Sequence, residues 1–132
     1  MFTVAKREFL EMFEQSILRP RKLDYKVQFC GPTGASAVEA ALKLARLITG
    51  RARVASFTGN WHGMSPAALQ VTGNLAHRAG AGIQLDSAVF LPFPDGPYVV
   101  PDTLAYIENL LSDPNAGFER PAAFIEIGRA HV

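Results

Sequence analysis

Ala5, Phe9, Met12, Phe13 and Ile17 recur at helical spacing, with Lys6, Arg7, Glu11, Glu14 and Gln15 around them. The pattern predicts a helix over residues 3–18, with Thr3 as N-cap and Pro20 stopping the run. Residues 24–30 alternate, with Tyr25, Val27 and Phe29 on one side, and read as a strand. The turn-rich stretch GPTGAS, residues 31–36, leads into a second helix over 35–48. Val38, Ala41, Leu42, Ala45 and Ile48 form its apolar face, widened by Ala37, Leu44 and Leu47, and Gly50 is its C-cap. Glu39 and Lys43 lie on the polar side as a favourable i,i+4 pair. A short apolar strand follows at 53–57, a helix at 65–72, a Gly- and Ala-rich loop at 73–86 and a strand at 88–91. Phe93 to Pro97 is a turn, and Asp102 caps a helix over 103–111 that faces Leu104, Ile107, Leu110 and Leu111 inward. Residues 113–117 are loop, and 122–126 form a last strand. Strands alternating with helices predict an α/β fold with a mainly parallel sheet.

The 132 residues suffice for one domain with a core, and no repeat or linker divides them. A formal charge of +1 offers no electrostatic case for a nucleic-acid or membrane-surface partner. No apolar run approaches the ~20 residues that span a bilayer. The charged start, with Lys6, Arg7 and Glu8, lacks the apolar core of a signal peptide. A soluble, cytoplasmic protein is expected. The single cysteine, Cys30, excludes an internal disulfide and is expected to be a buried or half-buried small side chain rather than a catalytic thiol. His62, His77 and His131 lack metal-ligand spacing, so no metal site is expected.

Three stretches have the residue types for chemistry. At 31–36 a turn enters a helix N-terminus, where backbone N–H groups lack intrahelical partners and the dipole is positive. A phosphate fits there, with Gly34 and Ala35 adding little bulk and Thr33 and Ser36 offering hydroxyls; a plain capped turn is the simpler reading of the stretch alone. Neither a Walker A loop nor a dinucleotide fingerprint matches its glycine spacing. The second stretch, FTGNWHGM at 57–64, follows a strand, where α/β proteins place ligand loops. Trp61 could stack on a flat ring or fill a core, and His62 could be an acid/base group or a hydrogen-bonded structural residue. The third is Glu126, a carboxylate at the end of the last strand, pointing to the same sheet edge or to the surface.

Together, GPTGASAVEAALKLAR (31–46), SFTGNWHGM (56–64) and PAAFIE (121–126) resemble the class III aminotransferases, pyridoxal-phosphate (PLP) enzymes of fold type I. KREFLE, LDYKVQF, VEAALKLAR and VTGN, at 6–11, 23–29, 38–46 and 71–74, are similar to the subfamily that acts on diaminobutyrate and 2-oxoglutarate in ectoine synthesis. Other members of the class act on ornithine, acetylornithine or 4-aminobutyrate, and a non-catalytic anion-binding module is the non-enzymatic alternative.

The resemblance implies part of the PLP-binding large domain, a mainly parallel sheet with helices on both faces, incomplete in this chain. It implies transfer of the terminal amino group between L-2,4-diaminobutyrate and 2-oxoglutarate, small-molecule partners only, and a homodimer or larger assembly of the full-length protein. It also implies that Thr33, Gly34 and Ala35 hold the cofactor phosphate, that Trp61 stacks on the pyridine ring followed by His62, and that Glu126 lies near the cofactor. The family more often has Ser or Thr at the position of Ala35, and Tyr or Phe at that of Trp61. The family's Schiff-base lysine and the aspartate facing the pyridine nitrogen lie beyond the matched region, and Lys6, Lys22, Lys26 and Lys43 match neither. After Glu126 the family continues Pro-Val-Gln, whereas this chain continues Ile127-Gly128-Arg129. Residues 1–126 are therefore expected to be a partial large domain, and 127–132 a truncation or cloning-derived tail. Such a piece leaves apolar faces uncovered and is expected to aggregate or to need partner chains. It is also expected to catalyse no transamination; measurable turnover by the purified chain is the result that would overturn this.

Overall fold

The computed structural model describes residues 3–94, 96–98 and 100–127. In chain order its regular elements are α1 (Val4–Phe13), α2 (Gly34–Thr49), β1 (Val54–Phe57), α3 (Pro66–Gln70), α4 (Leu75–Ala79), β2 (Ala88–Leu91) and α5 (Thr103–Ser112). The strands β1 and β2 pair in parallel, Val54 opposite Ala88 and Phe57 opposite Leu91. On its other side β1 meets the last expected strand, which forms only a parallel bridge, Ala55 to Phe124. There Ala55 N donates to Ala123 O and Ile125 N to Ala55 O, each at 2.9 Å. β1 is thus the middle of a small parallel sheet, as the α/β reading requires. It is buried accordingly, with Val54, Ala55 and Ser56 fully enclosed. Val54 joins Leu42 of α2 and Val71 in the core, with Val38, Ala67 and Ala88 packed against them.

Thr3 and Asp102 cap their helices as expected, and Thr33 supplies the cap of the turn that enters α2. Thr3 Oγ1 accepts from Lys6 N, Thr33 Oγ1 from Ser36 N, and Asp102 Oδ1 from Ala105 N. Gly50 ends α2 at φ 68°, a left-handed conformation suited to glycine.

Other expectations fail for identifiable reasons. The helix begun at Thr3 does not stop at Pro20. After α1 it widens into a π turn over Glu14–Leu18 and tightens into a 3-10 turn over Arg19–Arg21. A proline in a regular α-helix clashes with the carbonyl four residues back, and the altered ladder accommodates it. Lys22 then closes the segment at φ 55°. Residues 24–30 belong to no strand and pair with none among the described residues; alternation alone does not supply a neighbouring ladder. Cys30 is exposed there rather than buried. The expected loop at 73–86 contains α4, nucleated by the Asn74 cap on His77 N. Of the expected tail, residues 128–132 lie outside the described residues.

Several faces expected to point inward are open. Leu44, Leu47 and Ile48 of α2 and Leu104 of α5 are exposed, and Leu47 retains 79% of its surface. The apolar side of α1 is also largely uncovered; Phe9 touches Phe13 and Phe29, and Lys6 Nζ lies 4.3 Å from the Phe29 ring centroid.

Glu39 is the largest departure on α2. Instead of pairing with Lys43, its Oε1 accepts from Ser65 Oγ at 2.7 Å, Ala67 N at 2.8 Å and Ala68 N at 3.1 Å. Glu39 therefore caps α3 from a different helix, satisfying N–H groups that a five-residue helix leaves open. Partial burial by itself raises its pKa, but the hydrogen bonds from Ser65, Ala68 and Ala67 and the charge of Arg46 outweigh it and hold the carboxyl below 4.5. The stability it contributes is present above that value and is lost as pH falls through the folded pKa. Glu39→Ala is expected to cost about 1–2 kcal/mol, within the range for a lost helix cap. Equilibrium denaturation at pH 7 checks this, and the difference should shrink at pH below 4.5.

Candidate functional site

The site lies where the N-terminus of α2 meets the loop after β1. Thr33, Gly34 and Ala35 form the first turn of α2. Thr33 Oγ1 accepts from Ser36 N at 3.2 Å and lies 3.0 Å from Ser36 Oγ, so its hydroxyl is engaged as a cap. The first-turn N–H groups of a helix have no acceptor within it. A Cβ built on Gly34 meets nothing within 4 Å, so the backbone there faces open space. Gly31 precedes the turn at φ 150°, and a Cβ there would stand 2.9 Å from Ser36 Oγ.

Gly63 brings the second stretch against the first. At φ 128° it lies so close to α2 that an added Cβ would sit 2.7 Å from Ala35 Cβ and 3.3 Å from Ala68 Cβ. Glycine at 63 and a small residue at 35 are therefore a matched pair. Glu39 stands one helical turn beyond Ala35, on the same side of α2, and its grip on α3 supports this contact.

Polar groups buried beneath the loop hold its path. Thr72 is fully buried; its Oγ1 accepts from His62 N at 3.0 Å and shares its proton between the carbonyls of Gly63 and Ala68. Ser56 Oγ donates to Val71 O at 2.6 Å and accepts from Asn60 Nδ2 at 2.9 Å. Thr58 N donates to Leu91 O, and Phe93 N to Thr58 Oγ1, so the loop leaves the carboxyl ends of both strands. Thr72, Ser56 and Glu39 were not singled out for these roles by the sequence, because single Ser, Thr and Glu residues are common and their partners are distant in the chain.

His62 is 5% exposed, and its Nε2 has no hydrogen-bond partner among the described residues. Burial lowers its pKa below 6.5, and the charge of Glu126 opposes that by a smaller amount. The structure thus brings Glu126, from the far end of the chain, within electrostatic range of His62. Trp61 does not fill the core. It is 44% exposed and meets His77 edge-on, with ring centroids 4.8 Å apart and planes at 78°. Among the described residues no group of His, Cys, Asp and Glu could hold a metal ion, and no helix is long and apolar enough to cross a membrane.

The fold thus combines a parallel α/β sheet, a glycine-containing turn at a helix N-terminus and an aromatic–His–Gly loop closed upon it. The chain belongs to the class-III aminotransferase family, which matches residues 1–117. It is 55% identical over 128 residues to a diaminobutyrate–2-oxoglutarate transaminase of Nocardia farcinica, covering 95% of this chain and 29% of that protein. It is 56% identical over 128 residues to one of the same name in Streptomyces anulatus, covering 95% and 30%. An uncharacterized aminotransferase of Sinorhizobium fredii is 54% identical over 126 residues, covering 95% and 28%. The chain spans less than a third of the length of these relatives.

The His62 environment has a signed consequence. Its lowered pKa means that the unfolded chain takes up a proton first as pH falls, so the stability it contributes is present above pH 6.5 and is lost as pH falls through the folded pKa. Glu126→Gln removes the charge that favours the imidazolium. The His62 midpoint, followed by NMR of the imidazole Cε1–H, is expected to lie below 6.5 and to fall further in this variant. An unchanged midpoint would separate Glu126 from the site.

Proposed function

We propose that this chain is part of a pyridoxal 5'-phosphate-dependent transaminase that moves the terminal amino group between L-2,4-diaminobutyrate and 2-oxoglutarate. The observation that carries the reading is the close approach of Gly63 to Ala35. It sets a helix N-terminus suited to phosphate beside a loop carrying an exposed indole and a buried imidazole. The names of the relatives supply the substrate pair.

The residues present fit this cofactor in three respects. Open space at Gly34 lets a phosphate approach the backbone. Trp61 exposes aromatic surface, and His62 Nε2 is a buried polar atom in need of a partner. Thr33, Gly34 and Ala35 would hold the phosphate through backbone N–H groups and the helix dipole, with the Thr33 hydroxyl retained as the cap. Ala35 lacks a hydroxyl to add to that shell, and its small side chain serves the contact with Gly63 instead. Trp61 would cover a face of the ring. His62, kept neutral by burial, would present Nε2 as either donor or acceptor according to its tautomer, while Glu126 adds negative potential nearby. Bound there, the cofactor would supply an electron sink for chemistry at the amino-bearing carbon.

A single substitution separates phosphate binding from plain capping. Gly34→Asp places an acid in the first turn of α2, where the dipole favours it by about 0.3–1 kcal/mol. The variant is therefore expected to melt no lower than the parent. The same charge repels a phosphate, so affinity for pyridoxal 5'-phosphate, read from quenching of Trp61 emission, is expected to fall about tenfold or more. Unchanged affinity in a folded variant would refute the phosphate assignment.

A further inference from the structure

We propose that His77 is a positioning residue for Trp61, holding the indole in the orientation that covers the cofactor ring. The inference rests on the cofactor reading of Trp61 and adds a residue to it.

The support begins with α4. Five residues are too few for a helix to persist alone in water, and none of those in α4 is buried. The segment is nevertheless tied down from several sides. Asn74 Oδ1 accepts from His77 N at 3.2 Å, so His77 is itself part of the cap. The Arg78 guanidinium donates to four carbonyls: those of Leu69 at 3.0 Å, Gln70 at 2.6 Å, Thr72 at 3.2 Å and Leu85 at 2.8 Å. It also lies 5.2 Å from the Phe90 ring centroid, on β2. Just before α4, Gly73 N donates to Asn60 O at 3.2 Å, which fixes the approach to α4 against the residue preceding Trp61.

These ties do not serve burial of an apolar face, because α4 has none buried. What they achieve is a fixed position for the His77 ring against Trp61. An indole on a surface loop otherwise samples several rotamers about its two side-chain torsions. An edge-on partner at 4.8 Å and 78° favours one of them. Ordering the indole before the ligand arrives lowers the entropy lost on binding.

Trp61 is the only tryptophan, so its emission reports this contact directly. The test compares the full chain with His77→Ala and His77→Phe, at low protein concentration. Melting, Trp61 anisotropy, acrylamide quenching and pyridoxal 5'-phosphate affinity are measured for each. His77→Ala is expected to melt as the parent does, because the side chain is exposed. Its Trp61 anisotropy should fall, acrylamide access should rise, and affinity should weaken about three- to tenfold. His77→Phe, which keeps a flat ring, should restore all three; a purely structural role would move the melt instead. Parental anisotropy and affinity in His77→Ala would overturn the role of His77 while leaving cofactor binding intact. Failure of the parent chain to bind pyridoxal 5'-phosphate, with Trp61 anisotropy still dependent on His77, would overturn the purpose assigned to the contact.

Discussion

Gly63 lies against Ala35 with no room for a methyl group between them, and the arrangement of the site depends on that contact. Any side chain at 63 would have to displace the first turn of α2 or the start of α3, since Ala35 and Ala68 flank the position. The positive φ at Gly63 adds a backbone reason for the same residue. Closing this gap sets the loop after β1 beside the helix N-terminus, so two stretches well separated in the chain become one surface.

The contact contributes little attraction of its own, because two small groups bury little area. Its support is polar. The Glu39 carboxylate joins α2 to α3 on one side, and the Thr72 hydroxyl fastens His62 and Gly63 from beneath. Buried hydrogen bonds of this kind are worth modest amounts individually, but leaving one unmade costs more than making it gains. That asymmetry favours a single loop path over its neighbours. It also gives the site two titrating groups of opposite character: a carboxyl stabilised as the anion and an imidazole kept neutral by burial.

Much of this was legible in the chain. Periodicity and end signals identified α2, β1, β2 and α5, because each pairs a clear apolar pattern with a cap or a boundary residue. The motifs at 31–46 and 56–64 pointed to the family on the strength of their combination. What stayed hidden depended on distant partners. Residues 24–30 have strand-like alternation but no ladder, and α4 has weak periodicity but a strong cap and an arginine bound to carbonyls from two other segments. Local spacing pairs Glu39 with Lys43 one turn away on the polar side of α2, whereas its partners come from Ser65 and the start of α3. Leu44, Leu47 and Ile48 are exposed although they extend the apolar stripe, because periodicity identifies a stripe without saying whether anything covers it.

The middle position of β1 bears on the order in which the sheet can assemble. Its two neighbours are both later in the chain, β2 at some distance and the segment around Phe124 much further on. Parallel neighbours cannot be joined by a tight hairpin, so each pairing closes a long loop before its hydrogen bonds repay the lost entropy. High sequence separation of this kind slows folding. During synthesis β1 would emerge from the ribosome before either flank exists, with Val54 and Ala55 open to solvent or to a chaperone until the chain around Phe124 follows.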